Sequence, residues 1–188
     1  MSTWYTYEDR LKDHYLAYQL LKRNLRTSFV KEQIKTISQH ELKNIHYAIH
    51  LHRPPSGQRP IVSTIPSSRE SFLYLTVFLS IYQAASQGNT QSQFDVPAIL
   101  FAWDYFQKTF KAHIAVERPY GKIRPANFNE AWILAQGMRK GEVALKYCPR
   151  CRHNYLIIYQ SKFLPICQLC DLEEAKNHGS AHMVPTLK

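Results

Sequence analysis

The sequence predicts a mainly α-helical chain that closes in a small cysteine-built module, and three observations carry that expectation. Glycine is scarce, 6 residues in 188, where a sheet-rich fold needs many tight turns. Apolar residues recur at three- and four-residue spacing from Leu11 to Met138, the period of helices with one buried face. Beyond them the texture changes to short strand-like runs around four cysteines, Cys148, Cys151, Cys167 and Cys170. The expected division is a helical domain over 1–142, a cysteine module over 143–175 and a loose tail over 176–188.

Taken in order, Tyr7 to Arg26 places Leu11, Tyr15, Tyr18, Leu21 and Leu25 on the inner face of a first helix. A short helix from Ser28 to Lys35 follows. Ser38 stands three residues before Glu41, a capping-box pattern that opens a third helix with Leu42, Ile45 and Ile49 turned inward and Tyr47 either joining them or facing outward. That helix must stop before Pro54-Pro55. After a basic, proline-stiffened connector to Pro60, residues Arg69 to Gln87 carry Phe72, Leu73, Leu75, Val77, Phe78, Leu79 and Ile81, apolar on several faces and so centrally buried. Gly88-Asn89 breaks it. Asp95 caps a helix with Pro97 in its first turn, running through Trp103 and Phe106 to Ala115. A connector from Arg118 to Ala126 precedes a helix capped by Asn127 or Asn129, bearing Trp132, Leu134 and Met138 and ending near Gly141. Val143–Tyr147, Tyr155–Tyr159 and Phe163–Ile166 are expected as strands.

Lys and Arg outnumber Asp and Glu by 24 to 14, a net charge of +10 that favours a polyanionic partner. The surplus is uneven. Leu20 to Pro60 holds eight basic residues against two acids, Lys108 to Arg152 ten against three, and Phe72 to Gln107 has no Lys or Arg. The N-terminus has neither a basic start nor an apolar signal stretch, and the apolar run Phe72–Ala85 is too short to span a bilayer. A cytoplasmic protein with no membrane partner is expected, in a compartment where thiols stay reduced.

Four cysteines there point to metal rather than disulfides. Cys148-Pro-Arg-Cys151, fifteen intervening residues and Cys167-Gln-Leu-Cys170 match a zinc ribbon, the intervening hairpin turning near Gln160-Ser161-Lys162. Four thiolates close the coordination sphere and leave no position for water, so one structural zinc ion is expected. No His-x-Glu precedes the Pro-Cys-x-x-Cys of a nucleobase deaminase, and no His-Glu-x-x-His of a metalloprotease occurs. His153, His178 and His182 read as solvated side chains. The chain is not expected to be an enzyme.

Thr27 to Leu51 reads either as a helix-turn-helix or as an ordinary helical hairpin with a polar face. In the first case Gln39, His40, Lys43, Asn44 and Tyr47 point outward near the start of a recognition helix, with side chains suited to base edges. Lys31, Lys35, Arg53 and Arg59 would hold phosphates on either side, and Arg150 and Arg152 add to the candidate DNA contacts from the second basic block.

The order of these features carries a resemblance. A helix-turn-helix segment, the Pro54-Pro-x-Gly-x-x-Pro60 connector, a buried helix, an Ala131-Trp132-x-Leu134 helix and paired Cys-x-x-Cys motifs together resemble FlhC, the zinc-containing subunit of the bacterial flagellar master regulator, and its relatives on conjugative elements. The likeness spans Leu20 to Leu172, with Arg53-Pro-Pro-Ser-Gly57 and Asn129-Glu-Ala-Trp132 among its more specific parts. It implies a DNA-binding transcriptional activator in a hetero-oligomer with an FlhD-like partner, bound upstream of promoters and recruiting RNA polymerase. The four cysteines match that family's zinc ligands one for one. Asn129-Glu130 replaces a more basic stretch, and either flagellar or conjugative-transfer genes would be the target. Trp4, Tyr5 and Tyr7 would either meet the partner or cover the chain's own core. The competing expectation is a zinc-ribbon adaptor that binds proteins and touches nucleic acid incidentally.

Overall fold

A computed structural model describes residues 6–66, 68–87, 90–111 and 127–179, the side chains of 69, 70 and 175–179 excepted. It is mainly helical, and by packing it divides into two compact units, Met1–Arg59 and Pro60–Lys188. The expected division at 142/143 follows sequence texture. By packing, the cysteine module belongs with the helices that begin at Arg69.

The first unit holds α1 (Tyr7–Lys22), α2 (Thr27–Gln33) and α3 (Gln39–His50), with α3 packed on both others. Each boundary has a local cause. Thr6 and Asp9 form a reciprocal capping box at the start of α1. Asn24, in the left-handed region at φ 60°, turns the chain into α2. Ser38 accepts from the Glu41 amide at 3.1 Å to open α3. Only this half of the expected capping box forms, because the Glu41 carboxylate accepts from His14 Nε2 on α1 at 2.9 Å. Leu51 ends α3 in the left-handed region at φ 59°.

The expected inner faces need two corrections. On α1 the buried residues are Ala17, Leu20 and Leu21, while Leu11, Tyr15 and Tyr18 are exposed with Tyr7. The aromatic stripe keeps helical spacing and so resembles a core face, but a second apolar stripe on the same helix joins Leu25, Phe29, Val30 and Ile34 in the unit's core. On α3 Leu42 is buried as expected, but the other fully enclosed residue is His46, and Tyr47 points outward.

The second unit is built on α4 (Arg69–Ala85), which packs against every other major element of its unit. Phe72, Leu75, Phe78, Leu79 and Tyr82 are buried, as the all-round apolar pattern predicts. In α5 (Val96–Thr109) the Asp95 carboxylate accepts from the Ala98 amide at 2.9 Å, with Pro97 in the first turn. It ends at Thr109, short of Ala115, and the connector beyond lies outside the described residues, as does Gly88-Asn89. Asn127, not Asn129, caps α6 (Phe128–Lys140) in a box with Glu130. Phe78, Trp103, Phe106, Phe128, Trp132 and Phe94 form a chain of rings with centroids 4.8 to 6.2 Å apart.

Behind α6 come β1 (Val143–Tyr147) and β2 (Asn154–Ile158), antiparallel with Leu145 opposite Leu156, and then α7 (Gln168–Gly179). A Cβ at Gly137 would lie 2.8 Å from Val143 Cγ2, so glycine lets α6 approach β1. Two expectations fail here. Phe163–Ile166 is irregular chain, with Phe163 edge-on to Phe72 at 5.4 Å rather than paired in a sheet. The chain after Cys167 is helical through Gly179, where a loose tail from 176 was expected. Among the described residues, no helix is long and apolar enough to cross a membrane.

Candidate metal centre and nucleic acid interface

The first cysteine pair sits in the turn of the β1–β2 hairpin. The Cys148 amide donates to the His153 carbonyl, and the Arg152 amide to the Cys148 carbonyl, both at 2.9 Å. Arg152 takes φ 60° to close the loop. The hairpin turn is therefore the cysteine knuckle itself, a correction to the expected turn at Gln160-Ser161-Lys162. The second pair forms the first turn of α7, where the Asp171 amide donates to the Cys167 carbonyl at 3.0 Å. A helix N-terminus stabilises negative charge, which suits thiolates at Cys167 and Cys170.

All four sulfurs lie within 4.8 Å of one another. Cys148 and Cys170 are 3.8 Å apart, and Cys151 and Cys167 3.6 Å. A disulfide would hold its sulfurs at about 2.05 Å. A tetrahedral ion with bonds of about 2.3 Å spaces its sulfur ligands by about 3.8 Å, close to the separations of these two pairs. The four thiols could hold one metal ion with no further ligand.

The thiol energetics fit that reading. The amide of Cys151, followed by that of Arg150, draws Cys148 down to about 7. Burial, reinforced by the neighbouring thiols, pushes Cys170 up to about 12, and burial also raises Cys167. Without a cation the four cannot ionise together; a divalent ion removes that conflict. His153 is exposed and its Nδ1 meets the Cys151 carbonyl at 2.6 Å, so it braces the knuckle. The side chains of His178 and His182 lie outside the described residues.

Two residues not legible as site residues in the sequence fasten the centre to the fold. The Leu156 amide donates to Thr76 Oγ1 of α4 at 3.1 Å, and its carbonyl accepts from Gln168 Nε2 at 3.0 Å. Both backbone groups of Leu156 are thus satisfied, one by the central helix and one by the second knuckle. A polar Thr within an apolar helix and a Gln inside a Cys-x-x-Cys pair were the available signals. Arg150, a candidate DNA contact, is ion-paired with Glu174 and joins the first knuckle to α7.

In the first unit, His40, Lys43, Asn44 and Tyr47 fall at helical spacing on one exposed face of α3. His40 and Asn44 are 3.3 Å apart and present a shared polar edge. Gln39 is drawn inward, its Nε2 donating to Thr27 Oγ1 at 2.7 Å. Lys31 donates to the carbonyls of Lys35 and Ile37, both at 2.7 Å, and so closes the turn between α2 and α3. Arg59 pairs with Glu32 at 2.6 Å and lies 4.7 Å over the Phe29 ring, while Lys35, Arg53 and Arg152 are exposed. Trp4 and Tyr5 lie outside the described residues.

Compared with models of known protein families and with curated proteins, the chain matches none.

Proposed function

We propose that this chain is a zinc-binding, DNA-binding transcriptional activator subunit that works in a hetero-oligomer with an FlhD-like partner and helps to recruit RNA polymerase upstream of promoters. The observation that carries the reading is the outward face of α3, where His40, Lys43, Asn44 and Tyr47 stand together without covering the core. Lys can donate to guanine and Asn can pair with adenine, so this short face holds chemistry for the major groove. The net charge of +10 supplies the sequence-independent attraction to phosphates. Zinc is the metal favoured by four thiolates at tetrahedral spacing, in the manner of a structural ribbon.

The partner reading is supported by the exposed row Tyr7, Leu11, Tyr15 and Tyr18 on α1, away from that helix's buried stripe. Aromatic and leucine side chains in a continuous row are what a protein interface covers.

The test is a gel-shift titration of the chain, alone and with an FlhD-like subunit, against promoter fragments. Affinity should fall with salt with a logarithmic slope of about −0.9 per phosphate neutralised. Lys43→Ala or Asn44→Ala should erode the preference for the favoured fragment by about 1–3 kcal/mol for each bidentate pairing removed. Equal binding to all fragments, before and after these changes, would remove the regulator reading.

A further inference from the structure

We propose that the groove on the outer face of the β1–β2 hairpin binds single-stranded nucleic acid, seating an unstacked base against Tyr155 and Tyr159 with the flanking phosphates on Lys146 and Lys162. The inference goes beyond duplex reading by α3 and does not depend on it.

The strand register builds the groove. Lys146 lies directly opposite Tyr155, and Ala144 opposite Ile157, so these four share one face of the hairpin. The Tyr159 amide donates to the Glu142 carbonyl at 3.1 Å, which extends the pairing by a rung and keeps Tyr159 on that face. The segment from Ser161 to Pro165 folds over the same side. Between them lies a cavity of about 350 Å³, with Ile157 at its floor and Leu164 on its rim. That volume is of the size that small planar ligands occupy.

Its chemistry is one-sided. Two ammonium groups and two phenol rings line the groove; the Glu142 carboxylate, opposite Tyr159 on the same face, is not part of its lining. Lys146 and Lys162 are exposed and carry no ion pair among the described residues; the Lys162 ammonium stands 5.1 Å over the Phe163 ring. Tyr159 is 58% exposed, so its ring is open to a ligand in the groove. Cations flanking accessible rings over an apolar floor are the means by which proteins hold unpaired strands without reading sequence.

A peptide is the other class of anionic ligand, and the structure disfavours it. An extended peptide would gain most by pairing with a free strand edge. At Leu156 the β2 edge is already taken by Thr76 and Gln168. Within the groove, ring faces and point charges are what is on offer, and these suit bases and phosphates.

The probe is a fluorescently labelled oligothymidylate, titrated by anisotropy into the full 188-residue chain purified with zinc. The chain should bind it in low salt. Tyr159→Ala and Lys146→Glu should each weaken binding about fivefold or more, while Tyr159→Phe, which keeps the ring, should bind like the parent. Metal content and amide protection of the hairpin establish that each variant is folded. No binding in low salt, or binding indifferent to folded groove variants, overturns the proposal. So does a groove that takes an acidic peptide and rejects the oligothymidylate.

Discussion

Each unit of this chain gathers metal-capable side chains into a cluster, and the two clusters differ in where their donor atoms point. In the first unit His46, His50 and His52 bring ring centroids within 4.5 to 5.4 Å of one another. One nitrogen of each ring is engaged elsewhere: His46 Nε2 with Asn24 Oδ1 at 2.9 Å, His50 Nε2 with the Leu21 carbonyl and His52 Nδ1 with the Arg53 carbonyl, both at 2.8 Å. In the second unit the four thiols converge on a single point, and among the described residues they are the only such group. Crowding alone makes a latch; convergence of donors makes a site that could hold a metal ion.

The largest effect that can break this contrast is loss of the ion that the four thiols could hold. Structural zinc contributes apparent binding energies of about 10–16 kcal/mol in small zinc-dependent peptides, and that energy is folding energy. Cys151→Ser, or exhaustive chelation, should abolish hydrogen-exchange protection across β1, β2 and the start of α7. Protection in α1 to α3 should persist. Elemental analysis should find one zinc per chain, and that ratio should survive His50→Ala with His52→Ala. A metal content that follows the histidines rather than the cysteines would reverse the assignment.

A smaller effect sharpens the picture of how the centre is held. Leu156 has its amide on Thr76 and its carbonyl on Gln168, and both bonds are buried. Removing one partner leaves a desolvated backbone group, which costs about 1–3 kcal/mol. Thr76→Val keeps the shape and deletes the acceptor; Gln168→Ala deletes the donor. Both should lower the denaturation midpoint of the second unit without changing zinc stoichiometry. Equal stability in the two variants and the parent would mean that the hairpin edge is held by apolar packing alone.

The same contrast explains what could be read in the sequence. The cysteine spacing announces the four clustered thiols directly, because few other arrangements need two Cys-x-x-Cys pairs. The caps at Ser38 and Asp95 are equally legible, and that of α6 is narrowed to Asn127 or Asn129, since each is a local bond between residues three apart. What the sequence hides depends on distant partners. The inner face of α1 is ambiguous because Tyr15 and Tyr18 keep the same helical period as Leu21, and only tertiary packing chooses between the two stripes. The strand expected at Phe163–Ile166 gives way to the packing of Phe163 on Phe72, far away in sequence. Nothing local distinguishes His46 from a solvated histidine; its place in the core depends on Asn24 across the turn.

The smallest effect uses the acid response of the first unit, where two histidines pull in opposite directions. His46 titrates below the usual 6.5, chiefly because it is buried and then because of the charge His50 would carry, a hydrogen bond to the His52 backbone offsetting part of the shift. A histidine depressed in the folded state resists protonation, so its stabilisation is complete above the unfolded value and is lost as pH falls through about 6.5 towards the depressed one. His14 titrates above 6.5, first through its bond to Glu41 and then through the Arg10 carbonyl. Its contribution is complete below the unfolded value and fades as pH rises through the raised one, and solvent exposure keeps it small. Urea unfolding between about pH 5 and about pH 8 should separate the two. His46→Gln, which keeps a donor for Asn24, should flatten the acid-side loss, whereas His14→Gln should lower stability on the acid side and leave the alkaline side unchanged. If His46→Gln remained as acid-sensitive as the parent, the three-histidine latch would not be what couples α3 to the α1–α2 turn.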